Sequence, residues 1–180
     1  MKKNILFLFL LIWFILHSCK KDKDTTLLDN SNVNNPPSII FSGITWRDLI
    51  GVPMGPVDTT DWRLDDNWCQ TEKDLFSNWN YNTNCTINDS IFIFAYPNPT
   101  SRLFYIYIGN KDTTTKVEMK LLNQHFEQVF INESYNLNHF YFDLDSLDSN
   151  LSDTIFRLYY RFIDMDSCLK CGHGDVLRKK

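Results

Sequence analysis

The chain has 180 residues, is 15% aromatic with only six glycines, and carries a formal net charge of −4. That length suits one domain with a small appendage, and the absence of any basic concentration argues against nucleic acid as a partner. Loss of Lys2 and Lys3 with a leader takes the charge from −4 to −6, a poor match for anionic lipid or phosphate.

Lys2 and Lys3 precede an unbroken apolar run from Ile5 to Leu16. A bilayer core roughly 30 Å thick needs about 20 apolar residues, so this run is too short to span it. It fits the apolar region of a secretory leader. The run ends in Leu16-His17-Ser18-Cys19, which resembles the lipobox of bacterial lipoproteins. In that family the cysteine is diacylated and becomes the first residue of the mature chain. Ser18 and Leu16 fit the pattern and His17 departs from it. The resemblance implies a leader over 1–18, a lipid anchor on Cys19, and a membrane partner reached through that lipid. Two acyl chains suffice to hold a protein on a membrane stably.

Residues 19–38 (CKKDKDTTLLDNSNVNNPPS) are polar and Asn-rich, and they close on two prolines. They have little to bury and read as a mobile tether. The Lys-Asp stretch beside Cys19 is similar to the surface-export signal of Bacteroidota lipoproteins. An outer-membrane, cell-surface location is the corresponding expectation.

Residues 39–85 read as a small Trp-rich lobe. Its sequence is similar to a segment found ahead of β-sandwiches in small Bacteroidota lipoproteins. Thr71-x-x-Asp74 resembles a capping box that starts one short helix carrying Leu75, Phe76 and Trp79. Trp46, Trp62 and Trp68 are expected to pack that helix onto a sheet. Asp58, Asp61, Asp65 and Asp66 invite a calcium reading through clustered hard oxygen ligands, although Asp is also an ordinary turn residue.

From residue 86 to 180 the dominant period is two. Phe104, Ile106 and Ile108 fall on one face of a strand, with Leu103, Tyr105 and Tyr107 on the other. Val117, Met119 and Leu121 alternate with Lys116, Glu118 and Lys120. Phe140, Phe142 and Leu144 repeat the pattern. Phe156, Leu158, Tyr160 and Phe162 then alternate with Arg157 and Arg161. Such strands, separated by Asn, Asp and Ser clusters, predict an antiparallel, immunoglobulin-like β-sandwich of seven to eight strands. The Tyr105–Tyr107 face is a candidate aromatic ligand platform.

Tyr96-Pro97-Asn98-Pro99, with the strands that follow to residue 163, resembles the C-terminal sorting domain of type IX secretion substrates. Two prolines fix φ and remove two donors, which ends one strand and aims the next. The turn at Leu122-Asn123-Gln124-His125 lacks that family's glycine, and the chain continues past the closing strand. The resemblance therefore bears on the fold more than on sorting.

Chemistry is sparse. No nucleophile elbow, phosphate loop, zinc-protease motif or dinucleotide fingerprint is present, and no cofactor is expected. His125 falls in a turn and His139 at a strand start, without Cys, Ser or Glu companions. If Cys19 is lipidated, Cys69, Cys85, Cys168 and Cys171 remain, an even set that an oxidising compartment favours as disulfides. Three pairings exist, of which Cys69–Cys85 with Cys168–Cys171 is the simplest. The first closes a loop of about 17 residues and stabilises by roughly 3 kcal/mol. The second would pin a Gly172-His173-Gly174 turn ahead of an edge strand at Asp175-Val176-Leu177. The competing use is zinc on Cys168, Cys171, His173 and Asp175. The expected function is a lipid-anchored, non-catalytic binding or structural module with a protein or glycan ligand. The alternatives are a hydrolase on the same scaffold and a type IX-sorted component.

Overall fold

The computed structural model describes residues 43–65, 68, 70–79, 90–134, 137–147, 154–164 and 169–179. Cys19, Asp66, Cys69, Cys85 and Cys168, with the leader and the expected tether, lie outside them. No helix among the described residues is long and apolar enough to cross a membrane.

Eight strands are described: β1 (Arg63–Leu64), β2 (Phe92–Tyr96), β3 (Leu103–Gly109), β4 (Lys116–Leu122), β5 (Gln128–Ser134), β6 (His139–Asp143), β7 (Thr154–Ile163) and β8 (Leu169–Arg178). They form a five-stranded sheet in the order β1-β8-β7-β4-β5 and a three-stranded sheet in the order β2-β3-β6. Every pairing is antiparallel. Omitting the short β1, the order matches an immunoglobulin-like sandwich. β2-β3-β6 stand as strands A-B-E, and β8-β7-β4-β5 as G-F-C-C′.

The expected register is the observed one. Phe104, Ile106 and Ile108 face Met119, Leu121, Phe156, Leu158 and Phe162 in one core. Phe104 stacks on Phe142, and Phe142 meets Phe130 edge-on, each with ring centroids 4.7 Å apart. Full burial of one such side chain stabilises by roughly 1.5–3 kcal/mol. The other face of the five-stranded sheet departs from expectation. Arg161 and Glu118 point away from the core as predicted, yet both are buried and paired, and Lys116 joins them. Arg157 binds Asp175 through two hydrogen bonds of 2.7 and 2.8 Å.

The turn without a glycine is made by another route. The Asn123 side-chain oxygen accepts the His125 and Glu127 amides, and Phe126 takes the left-handed conformation at φ 63°. Its ring lies edge-on to Tyr159, which offsets part of a strain of about 1–2 kcal/mol.

Gly172-His173-Gly174 is not a turn. It forms the middle of β8, paired with Leu158–Tyr160 on one side and, through Gly172 and His173, with β1 on the other. The glycines are there for space. A Cβ on Gly172 would sit 1.8 Å from the Arg63 carbonyl, and one on Gly174 would sit 2.2 Å from the Trp62 ring.

The described residues fall into two compact units, with 43–65 grouped with the sandwich and 68–79 apart. Residues 43–65 thus contribute a strand to the larger sheet instead of sharing a lobe with the helix. In the smaller unit, α1 (Gln70–Lys73) is one turn long. Thr71 lies inside it and does not cap it, and Leu75 and Phe76 follow it. The Trp79 indole N–H donates to the Lys73 and Phe76 carbonyls at 2.7 and 3.0 Å. Trp68 packs on Phe76 and Trp79. Trp62 instead stacks parallel to Tyr160 in the sandwich core, and Trp46 is exposed.

Phe156→Ala should cost about 3–5 kcal/mol in urea unfolding, from lost burial and the cavity left behind. Tyr107→Ala, on the outward face of β3, should cost under about 1.5 kcal/mol. Equal losses would contradict the core assignment.

Candidate binding face

The outward side of β2-β3-β6 carries side chains in rows set by the strand register. Tyr96 pairs with Tyr105 and Tyr105 with Tyr141, while Phe94 pairs with Tyr107 and Tyr107 with His139. Adjacent strands lie about 4.8 Å apart, and three of the four cross-strand neighbours are in ring contact. Centroid separations are 5.6 Å for Tyr96–Tyr105, 5.5 Å for Phe94–Tyr107 and 4.7 Å for Tyr107–His139. Phe92 extends the surface by lying across Gly109, where a Cβ would meet its ring at 2.1 Å. An aromatic ring covering a strand glycine in this way restores contacts that the glycine lacks.

Tyr105 and Phe92 are 40% and 44% exposed and Tyr141 is 72% exposed, so the rings form an accessible surface and not a second core. None of the four tyrosine hydroxyls hydrogen-bonds a described residue. Sequence alternation indicated Tyr105 and Tyr107. Phe92, Phe94, Tyr96, His139 and Tyr141 carry the same period-two signal in FIFAY and HFYFD. What one strand cannot give is the lateral order that places these runs side by side.

The segment 43–64 bounds this surface along β2. The Arg47 guanidinium carbon lies 4.4 Å from the Phe94 ring centre. Gly51, at φ 86°, presses its backbone on the same ring, where a Cβ would come within 2.7 Å of it. Between the segment and β2 lies a cleft of about 230 Å³ lined by Thr45, Arg47, Asp58, Asp61, Trp62 and Phe94, among others.

The acidic residues of the cleft are engaged by the fold itself. Asp61 accepts the Thr45 amide at 3.1 Å on one oxygen and the Asp175 amide at 3.0 Å on the other. One Asp58 oxygen accepts both the amide and the hydroxyl of Thr60. Asp58 and Asp61 are thus tied to backbone and hydroxyl donors of the fold. Among the described residues, no group of three or more His, Cys, Asp or Glu side chains is placed to hold a metal ion.

The zinc candidates are likewise not drawn together. Cys171, His173 and Asp175 alternate along β8, so Cys171 and Asp175 stand about 13 Å apart, too far for bonds of roughly 2 Å to one ion. The Cys171 thiol donates to the Asp65 carbonyl at 3.1 Å, His173 lies beside Tyr159, and Asp175 holds Arg157. Cys168, and both cysteines of the expected Cys69–Cys85 bridge, lie outside the described residues. His125 and His139 are not brought together with any nucleophile. No protein-family model matches the chain, and no curated protein matches it.

Burial pushes Asp61 up to about 8, helped by the Asp175 and Asp58 carboxylates and opposed by its two N–H donors. Burial likewise pushes Asp175 up to about 6 against the pull of Arg157. An unfolded Asp titrates near 3.9. Between about pH 4 and 8 the folded protein therefore keeps a proton at Asp61 that the unfolded chain has released. The resulting stabilisation is complete below about pH 4 and disappears as pH rises to about 8. Asp61→Asn should flatten the fall in urea-unfolding free energy between about pH 5 and 8. A slope equal to that of the wild type would contradict this assignment.

Proposed function

We propose that this chain is a lipid-anchored cell-envelope protein whose sandwich binds a glycan across the aromatic face of β2-β3-β6. The observation that carries the reading is the pair of cross-strand rows, Tyr96-Tyr105-Tyr141 and Phe94-Tyr107-His139. Monomeric proteins rarely leave a contiguous apolar surface open without a use for it. Here the surface is made of rings with polar rims, not of aliphatic chains. The flat apolar side of a sugar can lie on such rings while its hydroxyls reach the tyrosine oxygens. The rings need little ordering on binding, because strand geometry and their mutual contacts hold them in place. The lipidation resemblance at Cys19 supplies the envelope location, and the engaged carboxylates favour binding over hydrolysis.

Each exposed ring should contribute about 1 kcal/mol to binding, roughly a fivefold change in affinity. Titration calorimetry of Tyr105→Ala/Tyr141→Ala against oligosaccharides selected from a glycan panel should show a loss of roughly 30-fold. The unfolding midpoint should stay close to that of the wild type. Wild-type affinity in the double variant would contradict the reading, as would failure of the intact protein to bind any glycan.

A further inference from the structure

Beside the aromatic face, residues 46–56 form a small hairpin of a different character. The Met54 amide donates to the Trp46 carbonyl, Arg47 bridges Pro53, and the Asp48 amide donates to the Val52 carbonyl. At its tip Leu49 and Ile50 are 78% and 79% exposed, and Val52, Met54 and Val57 are exposed behind them. The exposed side of the turn thus carries aliphatic side chains, while Gly51 lies on the Phe94 ring.

Most of the turn's donors are satisfied internally. One Asp48 oxygen accepts the Ile50 and Val52 amides at 3.0 and 2.8 Å. The Gly51 amide donates to the Asp48 carbonyl, and the Gly51 carbonyl accepts from Arg47 at 2.7 Å. Peptide groups partnered in this way lower the cost of entering an apolar medium, where water cannot serve them. At the hairpin's base the Lys179 ammonium lies 5.1 Å from the Trp46 ring centre. An amphipathic indole beside a cation is the pairing found at the headgroup level of membranes.

The course of the chain points the same way. Twenty-three residues lie between Cys19 and Gly43 in the sequence, most of them in the stretch expected to be a tether. Gly43 leads into this hairpin within a few residues. An anchor at Cys19 therefore delivers the chain to the element that carries the apolar tip.

We propose that the Asp48–Val52 turn is a membrane-contact element, with Leu49 and Ile50 seated at the headgroup–acyl boundary of the bilayer that holds the lipid anchor. The inference rests on lipidation of Cys19 but adds a second point of attachment. A lipid and a turn together fix the domain's tilt, whereas a lipid on a tether alone leaves it free. Insertion of this kind is driven by apolar area and needs no anionic lipid, which agrees with the acidic chain.

The test uses the processed, lipidated protein in phosphatidylcholine–phosphatidylethanolamine vesicles carrying brominated acyl chains. Ile50→Trp is compared with Ile131→Trp, an exposed position on β5. Both variants should float with the vesicles, and the fluorescence added at position 50 should be quenched at least about twofold more than that at position 131. Flotation with equal quenching overturns the membrane-contact turn and leaves the anchor standing. Absence of flotation overturns both. A concentration-dependent blue shift of the fluorescence added by Ile50→Trp, seen without lipid, assigns the turn to a second copy of the chain and also overturns the proposal.

Discussion

The buried corner around Asn98 ties the start of the N-terminal segment to the sandwich, while the β1–β8 pairing holds the segment's other end. Asn98 is fully buried. Its amide nitrogen donates to the Thr45 and Asp175 carbonyls at 3.0 and 2.8 Å, and its oxygen accepts the Leu177 amide at 3.0 Å. Its backbone exchanges a second pair of bonds with Arg47. Segment 43–47, the Pro97–Pro99 corner and the end of β8 thus meet on one amide group. Asp61 repeats the arrangement by joining the Thr45 amide to the Asp175 amide. A buried polar group left without a partner costs about 1–3 kcal/mol, so this corner is either complete or strongly destabilising.

Everything proposed for function lies downstream of that corner. By fixing Thr45 and Arg47, Asn98 sets where the hairpin at 46–56 leaves the sandwich, and so where Arg47 and Gly51 rest on Phe94. The same contacts close β8 against Thr100, so that the sheet edge does not present a long open row of donors and acceptors. The aromatic face and the aliphatic tip are built from neighbouring residues but suit different partners. One is aromatic with polar groups at its rim, and the other exposes aliphatic side chains.

The sequence made the sandwich readable where side-chain alternation alone decides the outcome. In RLFYIYI, KVEMKL and TIFRLYYRFI a slip of one residue would expose the whole apolar set, so the inward residues could be named from their spacing. The outward set was less legible. Arg161 and Glu118 look like solvated charges in the sequence, yet they form a buried pair. Burial of an outward face depends on what lies against it, which a period of two does not encode. Lys116 and Arg161 more than offset the cost of burying Glu118 and hold its carboxylate below its ordinary range. Gly172-His173-Gly174 misled because glycine signals turns by composition. Here it answers two close approaches, by the Arg63 backbone and the Trp62 ring, that come from far earlier in the chain. Asn98 sits in a motif noted for its prolines, and nothing local to that motif reveals the partners of its side chain.

Asn98 is best tested by amide hydrogen exchange of Asn98→Ala beside the wild type. The Leu177 amide loses its acceptor and should exchange orders of magnitude faster, and protection should fall along 43–47, while β1, β3 and β4 retain most of theirs, because neither the β1–β8 pairing nor the apolar core passes through this amide. Unchanged exchange at Leu177 and along 43–47 would contradict the claim that Asn98 fastens this corner. A uniform loss across all strands would show that its bonds support the whole core and not this corner.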